Sequence, residues 1–146
     1  MKLAAASQAL IERFLKENQI ETDVPLKDVK IYARGGATVL TRILMVEGIT
    51  LGNCVYLNPR FVTRKNDDLL RVSKTLIFHE FVHVWQYRKF GFFGFIKIYV
   101  RDFLRRFRAK RQWNFQSWFE AYSEIPFEIE ARDLTKQFLS WHRQLK

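Results

Sequence analysis

Apolar and polar positions repeat along this chain with two periods, and the changes of period mark its elements. Between Ser7 and Asn18, the residues Ala9, Leu10, Phe14 and Leu15 fall at helical spacing with charged residues between them, which predicts an amphipathic helix. Val24-Pro25 breaks it, because a residue before proline is pushed out of the helical region. Val29 to Arg34 alternates in the strand manner, and Gly35-Gly36 signals a turn. Thr38 to Val46 is apolar and β-branched, which predicts a second strand, with a short helix at its start as the other option. Ile49 to Leu57 reads as a strand, a tight turn at Gly52-Asn53 and a strand, stopped near Pro59. Arg60 to Asp68 is expected to be a polar loop.

The second half carries the longer period. A helix starting near Asp67 or Asp68, or restarting at Ser73, should run through Lys89 and stop at Gly91. Leu76, Ile77, Phe78, Phe81, Val82, Val84 and Trp85 make it apolar nearly all round, which predicts a buried helix. Phe92 to Arg108 follows, with Phe95, Ile96, Tyr99, Val100, Phe103, Leu104 and Phe107 on one face and Arg101, Arg105 and Arg108 on the other. Gln112 to Tyr122 reads as a loop or irregular helix, and Pro126 suits the first turn of a last helix reaching Gln144. The expected fold class is α+β: a small antiparallel sheet packed on a mainly helical half, in one domain of 146 residues.

Composition alters this picture in two places. Cys54 is the only cysteine, so no intrachain disulfide forms and a reducing compartment suits the chain. The apolar N-terminal run is cut short by Gln8, Glu12 and Arg13, and no stretch reaches the roughly 20 apolar residues of a membrane span, so the expectation is a cytoplasmic protein. The net charge is +10, and Arg88 to Arg111 holds nine cations against the single acid Asp102. Three readings of that segment stay open: a helix with a solvated cationic back, a helix lying on an anionic membrane surface, and a nucleic-acid-binding surface. No recognition-module pattern supports the last.

Candidate chemistry sits on the buried helix. His79-Glu80-x-x-His83 places two imidazoles on one face, where both can hold one metal ion. Glu80 follows the first ligand and can reach the open side of the ion as a general base. The other reading of the three polar residues is a satisfied core network, since buried charges must be paired. A catalytic zinc needs a third protein ligand. Gln86 and Lys89 stand where the metzincin extension requires glycine and histidine, which excludes that class. The third histidine, His142, lies near the C-terminus. The downstream acids are Asp102, Glu120, Glu124, Glu128, Glu130 and Asp133, and the best segment is Glu128-Ile129-Glu130-Ala131-Arg132, early on a helix that can run antiparallel to the first. Glu128 and Glu130 both remain candidates on residue type, as does a solvated pair at a helix start.

His-Glu-x-x-His followed by Glu-x-x-Ala on a later helix resembles the gluzincin metallopeptidases. The chain is also similar to small bacterial domains of this type in the core-domain family of extracellular contractile injection systems. The similarity runs through Val29-Lys30-Ile31-Tyr32, Ile49-Thr50-Leu51-Gly52-Asn53-x-Val55-Tyr56-Leu57, His79-Glu80-x-x-His83-Val84-x-Gln86 and Pro126-x-Glu128-x-Glu130-Ala131. It implies a Zn²⁺ site of His79, His83 and Glu128, with Glu80 as general base in the hydrolysis of a protein or peptide substrate. Tyr87 stands where the commoner form has a second glutamine. Arg132 stands where many gluzincins carry an aspartate that orients a ligand imidazole. An oxyanion donor is also expected, with Tyr122, Tyr87, His142 or an arginine as candidates. Cys54 to Leu57 is the candidate edge strand for pairing with an extended substrate.

Overall fold

A single helix, α3 (Lys74–Phe90), forms the axis of the molecule. In the computed structural model, residues 2–3, 5–20, 25–33, 35–64 and 69–145 are described. Ahead of α3 come β1 (Lys2–Leu3), α1 (Ala5–Glu17), β2 (Lys30–Tyr32), α2 (Gly36–Ile43), β3 (Gly48–Leu51), β4 (Cys54–Leu57), β5 (Val62–Arg64) and β6 (Leu69–Val72). After it come α4 (Phe92–Ala109), α5 (Phe115–Ser123) and α6 (Pro126–Gln144). The α+β class holds, with helix predominating.

The sheet beside α3 is mixed, not antiparallel throughout. Its order is β2-β4-β3, with β2 parallel and β3 antiparallel to β4. The hairpin at Gly52-Asn53 forms as expected. The parallel pair arises because α2 carries the chain from one edge of this sheet to the other before β3. This is where the expected second strand over Thr38 to Val46 gives way to a helix. Ala37 and Thr41, four apart, are the buried positions, and the Thr41 hydroxyl donates to the Ala37 carbonyl at 2.7 Å. That bond satisfies the one polar group on the packed face, so tertiary packing overrides the β-branched composition. The order also corrects the expected edge strand: β4 is the central strand, and β2 and β3 are the edges.

A second small sheet, β1-β6-β5, replaces part of the expected polar loop. Val62 pairs with Val72 and Arg64 with Leu70. The helix starts proposed at Asp67 and Asp68 lie outside the described residues, and α3 begins after Ser73. Gly91 ends it at φ 72, a backbone conformation that favours glycine. The expected irregular segment contains a regular helix, α5, because the Asn114 side chain accepts from Ser117 N at 2.8 Å and caps it.

Burial of the apolar α3 follows from what surrounds it. Phe14 of α1, Phe78 of α3 and Phe138 of α6 are fully buried and pack ring on ring, Phe78 and Phe138 stacking at 4.5 Å. Truncating one of them to alanine costs about 3–5 kcal/mol. A second cluster of Tyr87, Phe95, Ile125 and Phe127 joins α3, α4 and the start of α6. Together the two clusters clamp α3 against α6 and fix the phase of both helices around the polar residues between them.

Candidate metal centre

His79 and His83 lie one turn apart on α3, and both Nε2 atoms point at the first turn of α6. The two nitrogens are 3.2 Å apart. Glu128 presents Oε2 to His79 Nε2 and Oε1 to His83 Nε2, each at 3.3 Å. Of the downstream acids, only Glu128 joins the two imidazoles in a group able to hold a metal ion, among the described residues. Metal–ligand bonds of about 2.0–2.1 Å in a tetrahedron put donors about 3.3 Å apart. The spacing found here therefore fits one ion of that size.

Helical phase explains the choice of Glu128. Glu128, Ala131, Thr135 and Phe138 are buried along one stripe of α6, while Glu130 faces away and is exposed. The methyl side chain of Ala131 is fully buried in the core that α3 and α6 share, which permits their close approach. Glu130 is nevertheless drawn into the site's surroundings through Gln86. The amide Nε2 of Gln86 donates to Glu130 Oε2 at 2.8 Å and to the Phe127 carbonyl at 3.1 Å. Both amide protons are thereby used, so Oε1 of Gln86 must accept from His83 Nδ1, 2.8 Å away. A proton fixed on Nδ1 leaves the Nε2 lone pair of neutral His83 aimed between His79 and Glu128. Gln86 fills the orienting role that the Arg132 position leaves open; Arg132 instead donates to the Ser123 carbonyl.

Glu80 is buried and turns toward β3. Its Oε2 lies 2.8 Å from the Thr50 hydroxyl. Gly48, two residues earlier on the same strand face, leaves the room that the carboxylate fills. Tyr99 of α4 donates its hydroxyl to Glu128 Oε1 at 2.7 Å. Neither Gly48, Thr50 nor Tyr99 was singled out from the sequence. Strand alternation places Gly48 and Thr50 on one face, but nothing in the sequence pairs that face with Glu80, and Tyr99 hides within an aromatic stripe.

The buried carboxyls and imidazoles shift one another's proton affinities. Burial drives the Glu80 carboxyl above the usual range, with the two imidazoles and Thr50 opposing it. Burial also pushes Glu128 upward, but His83 and His79 outweigh it and hold this carboxyl well below the usual range. Burial pulls His83 down, yet Glu128 and Glu80 beside it bring its pKa up to about 9. The hydroxyls of Tyr99 and Tyr122 are pushed up, by burial first and then by Glu128. In the metal-free site His83 and Glu128 therefore pair as cation and carboxylate, and a divalent ion bound between them would take the place of that proton.

Two candidate residues lie elsewhere. His142 stacks on Phe138 and has its Nε2 3.2 Å from Lys74 Nζ, outside the cluster, so it is neither a ligand nor an oxyanion donor to it. Glu130 is a partner of Gln86, not a ligand. Tyr122 is at the site. A cavity of about 240 Å³ reaches His83 and Glu128, and one of about 700 Å³ reaches His79. Val46, Gly48, Glu80, Trp118 and Tyr122 line both. Tyr87 lines the smaller cavity, its hydroxyl pushed up to about 12 by burial. Ile49, Leu51, Phe95 and Phe103 make the smaller cavity predominantly apolar. Compared with protein-family models, curated proteins and solved structures, the chain matches none of them.

Proposed function

We propose that this chain is a zinc-dependent, metallopeptidase-like hydrolase that cleaves peptide bonds. The observation that carries the reading is the convergence of His79, His83 and Glu128 at donor spacings of 3.2–3.3 Å, with the Glu80 carboxylate buried beside them. Two nitrogens and one carboxylate are a donor set that suits zinc, and three protein ligands leave a position for water or substrate. A bound zinc ion would supply Lewis acidity and make a water acidic enough to lose its proton near neutral pH. The gluzincin resemblance of the motif points the same way.

The chain's own residues divide the work. His79, His83 and Glu128 hold the ion, and Gln86 and Tyr99 hold two of those ligands in place. Glu80 takes a proton from the attacking water and returns it to the leaving amine; its raised affinity for protons suits that exchange. Tyr122, on the cleft wall, donates to the carbonyl oxygen as charge develops there. The free edge of β3 pairs with an extended peptide, and the apolar cavity receives a bulky apolar side chain. At about 240 Å³ it exceeds the roughly 150 Å³ that holds a benzene ring.

A non-catalytic metal staple would be closed by a fourth protein ligand. The positions of His142 and Glu130 away from the cluster favour the open, hydrolytic form. The deciding experiment is Glu80→Gln, assayed for zinc content and for cleavage of a peptide library. Zinc should be retained and turnover should fall about 10²–10⁴-fold. Unchanged turnover removes the mechanism.

A further inference from the structure

The outer face of α4 carries more apolar surface than the fold uses. Phe95 is buried and Tyr99 and Phe103 are half-buried, but Val100 and Leu104 of the same predicted face are not covered. Phe93, seven residues before Val100, is 84% exposed, and with Val100 and Leu104 it forms a stripe along the helix. Lys97, Arg101, Arg105 and Arg108 are exposed alongside this stripe. The nearby acid, Asp102, is buried and paired with Arg101. No ion pair engages Lys97, Arg105 or Arg108 among the described residues.

This surface continues into the mouth of the cleft. Val100 lines the smaller cavity, while Met45 and Phe119 line the larger and are 69% and 55% exposed. No helix among the described residues is long and apolar enough to cross a membrane. An apolar stripe bordered by exposed lysine and arginine is the pattern of a helix lying in the plane of a bilayer, side chains in the acyl boundary and cations at the headgroups. Nucleic acid would meet the same charge and could stack a base on Phe93 or Phe119, but aliphatic Met45, Val100 and Leu104 between them suit an acyl boundary better than a base.

We propose that the face formed by α4 and the cleft mouth docks on an anionic lipid bilayer, so that the cleft opens toward the membrane surface. This stands apart from the hydrolase reading and holds whether or not the metal centre is catalytic. The test is flotation of the full chain with vesicles of phosphatidylcholine alone and of phosphatidylcholine mixed with phosphatidylglycerol. The chain should float with the mixed vesicles only, and less as salt is raised. Arg105→Gln with Arg108→Gln should lower partitioning about thirty-fold, and Phe93→Ser with Leu104→Ser about ten-fold or more. All four positions are exposed, and circular dichroism checks that the variants fold. Absence of flotation at low salt overturns the proposal. Binding untouched by Phe93→Ser with Leu104→Ser, or a preference for single-stranded DNA over the mixed vesicles, also overturns it.

Discussion

Gly48 and Glu80 share one space: a β-carbon built on Gly48 would lie 2.6 Å from Glu80 Oε1 and 2.8 Å from its carboxyl carbon. No side chain fits there unless the carboxylate moves. Gly48→Ala should therefore displace Glu80 while leaving His79, His83 and Glu128 in place. A misplacement of about 1 Å can cost about 10²-fold in rate. Zinc content should be unchanged and peptide turnover should drop by about that factor. Full turnover in this variant would mean that the carboxylate does not work from this position.

Gln86 gives a second handle, because its bond to His83 can be removed without touching a ligand. Gln86→Leu keeps much of the volume and deletes the acceptor for His83 Nδ1–H. Orienting partners of this kind are worth about 10–100-fold in metal affinity. Competition with a fluorescent zinc chelator should show a loss in that range. Equal affinity would assign Gln86 to helix packing alone.

Tyr122 and Tyr99 are both half-buried beside Glu128, yet they should respond differently. Tyr99 already donates to Glu128 Oε1. Tyr122 lies on the wall common to both cavities, where a substrate carbonyl would sit. Tyr122→Phe should reduce kcat about 10²–10³-fold with little change in KM or zinc content. A change in zinc affinity without a change in kcat would transfer Tyr122 to the ligand-holding role.

The protonation of His83 sets how metal uptake depends on pH. In the metal-free protein its pKa is raised to about 9 from an ordinary value near 6.5. Zinc must displace that proton, so apparent affinity should fall about ten-fold per pH unit on going down from about 9 toward 6.5. The stability of the metal-free form runs oppositely. A pKa raised by folding contributes stability fully present below about 6.5 and lost as pH rises through about 9. Zinc titrations and chemical denaturation between these limits check both signs.

Much of the site could be read from the chain, and the limits have physical causes. His79, Glu80 and His83 announce themselves by spacing on a helix whose remaining positions are apolar. Glu128 could have been separated from Glu130 by phase, since it shares a stripe with Ala131, Thr135 and Phe138. The four residues after Pro126 are too few to show that phase by eye. α2 was not legible because Val39 and Ile43, which suggested a strand, are solvent-exposed, while the packed positions are the inconspicuous Ala37 and Thr41. The crossover that makes the sheet mixed, and that moves β4 to its centre, depends on α2 and was hidden with it. Gly48 and Thr50 act through the contact of β3 with α3, which no local pattern encodes.

The donors on α3 and α6 flank the whole of α4 and α5. An ion gripped there would close that stretch into a ring, much as a covalent bridge restricts an unfolded chain. Its removal should thus be felt as slackening of the intervening helical hairpin, well away from the vacated ligands. A scavenger of zinc would then govern the shape of the basic aromatic face as well as the chemistry beneath it.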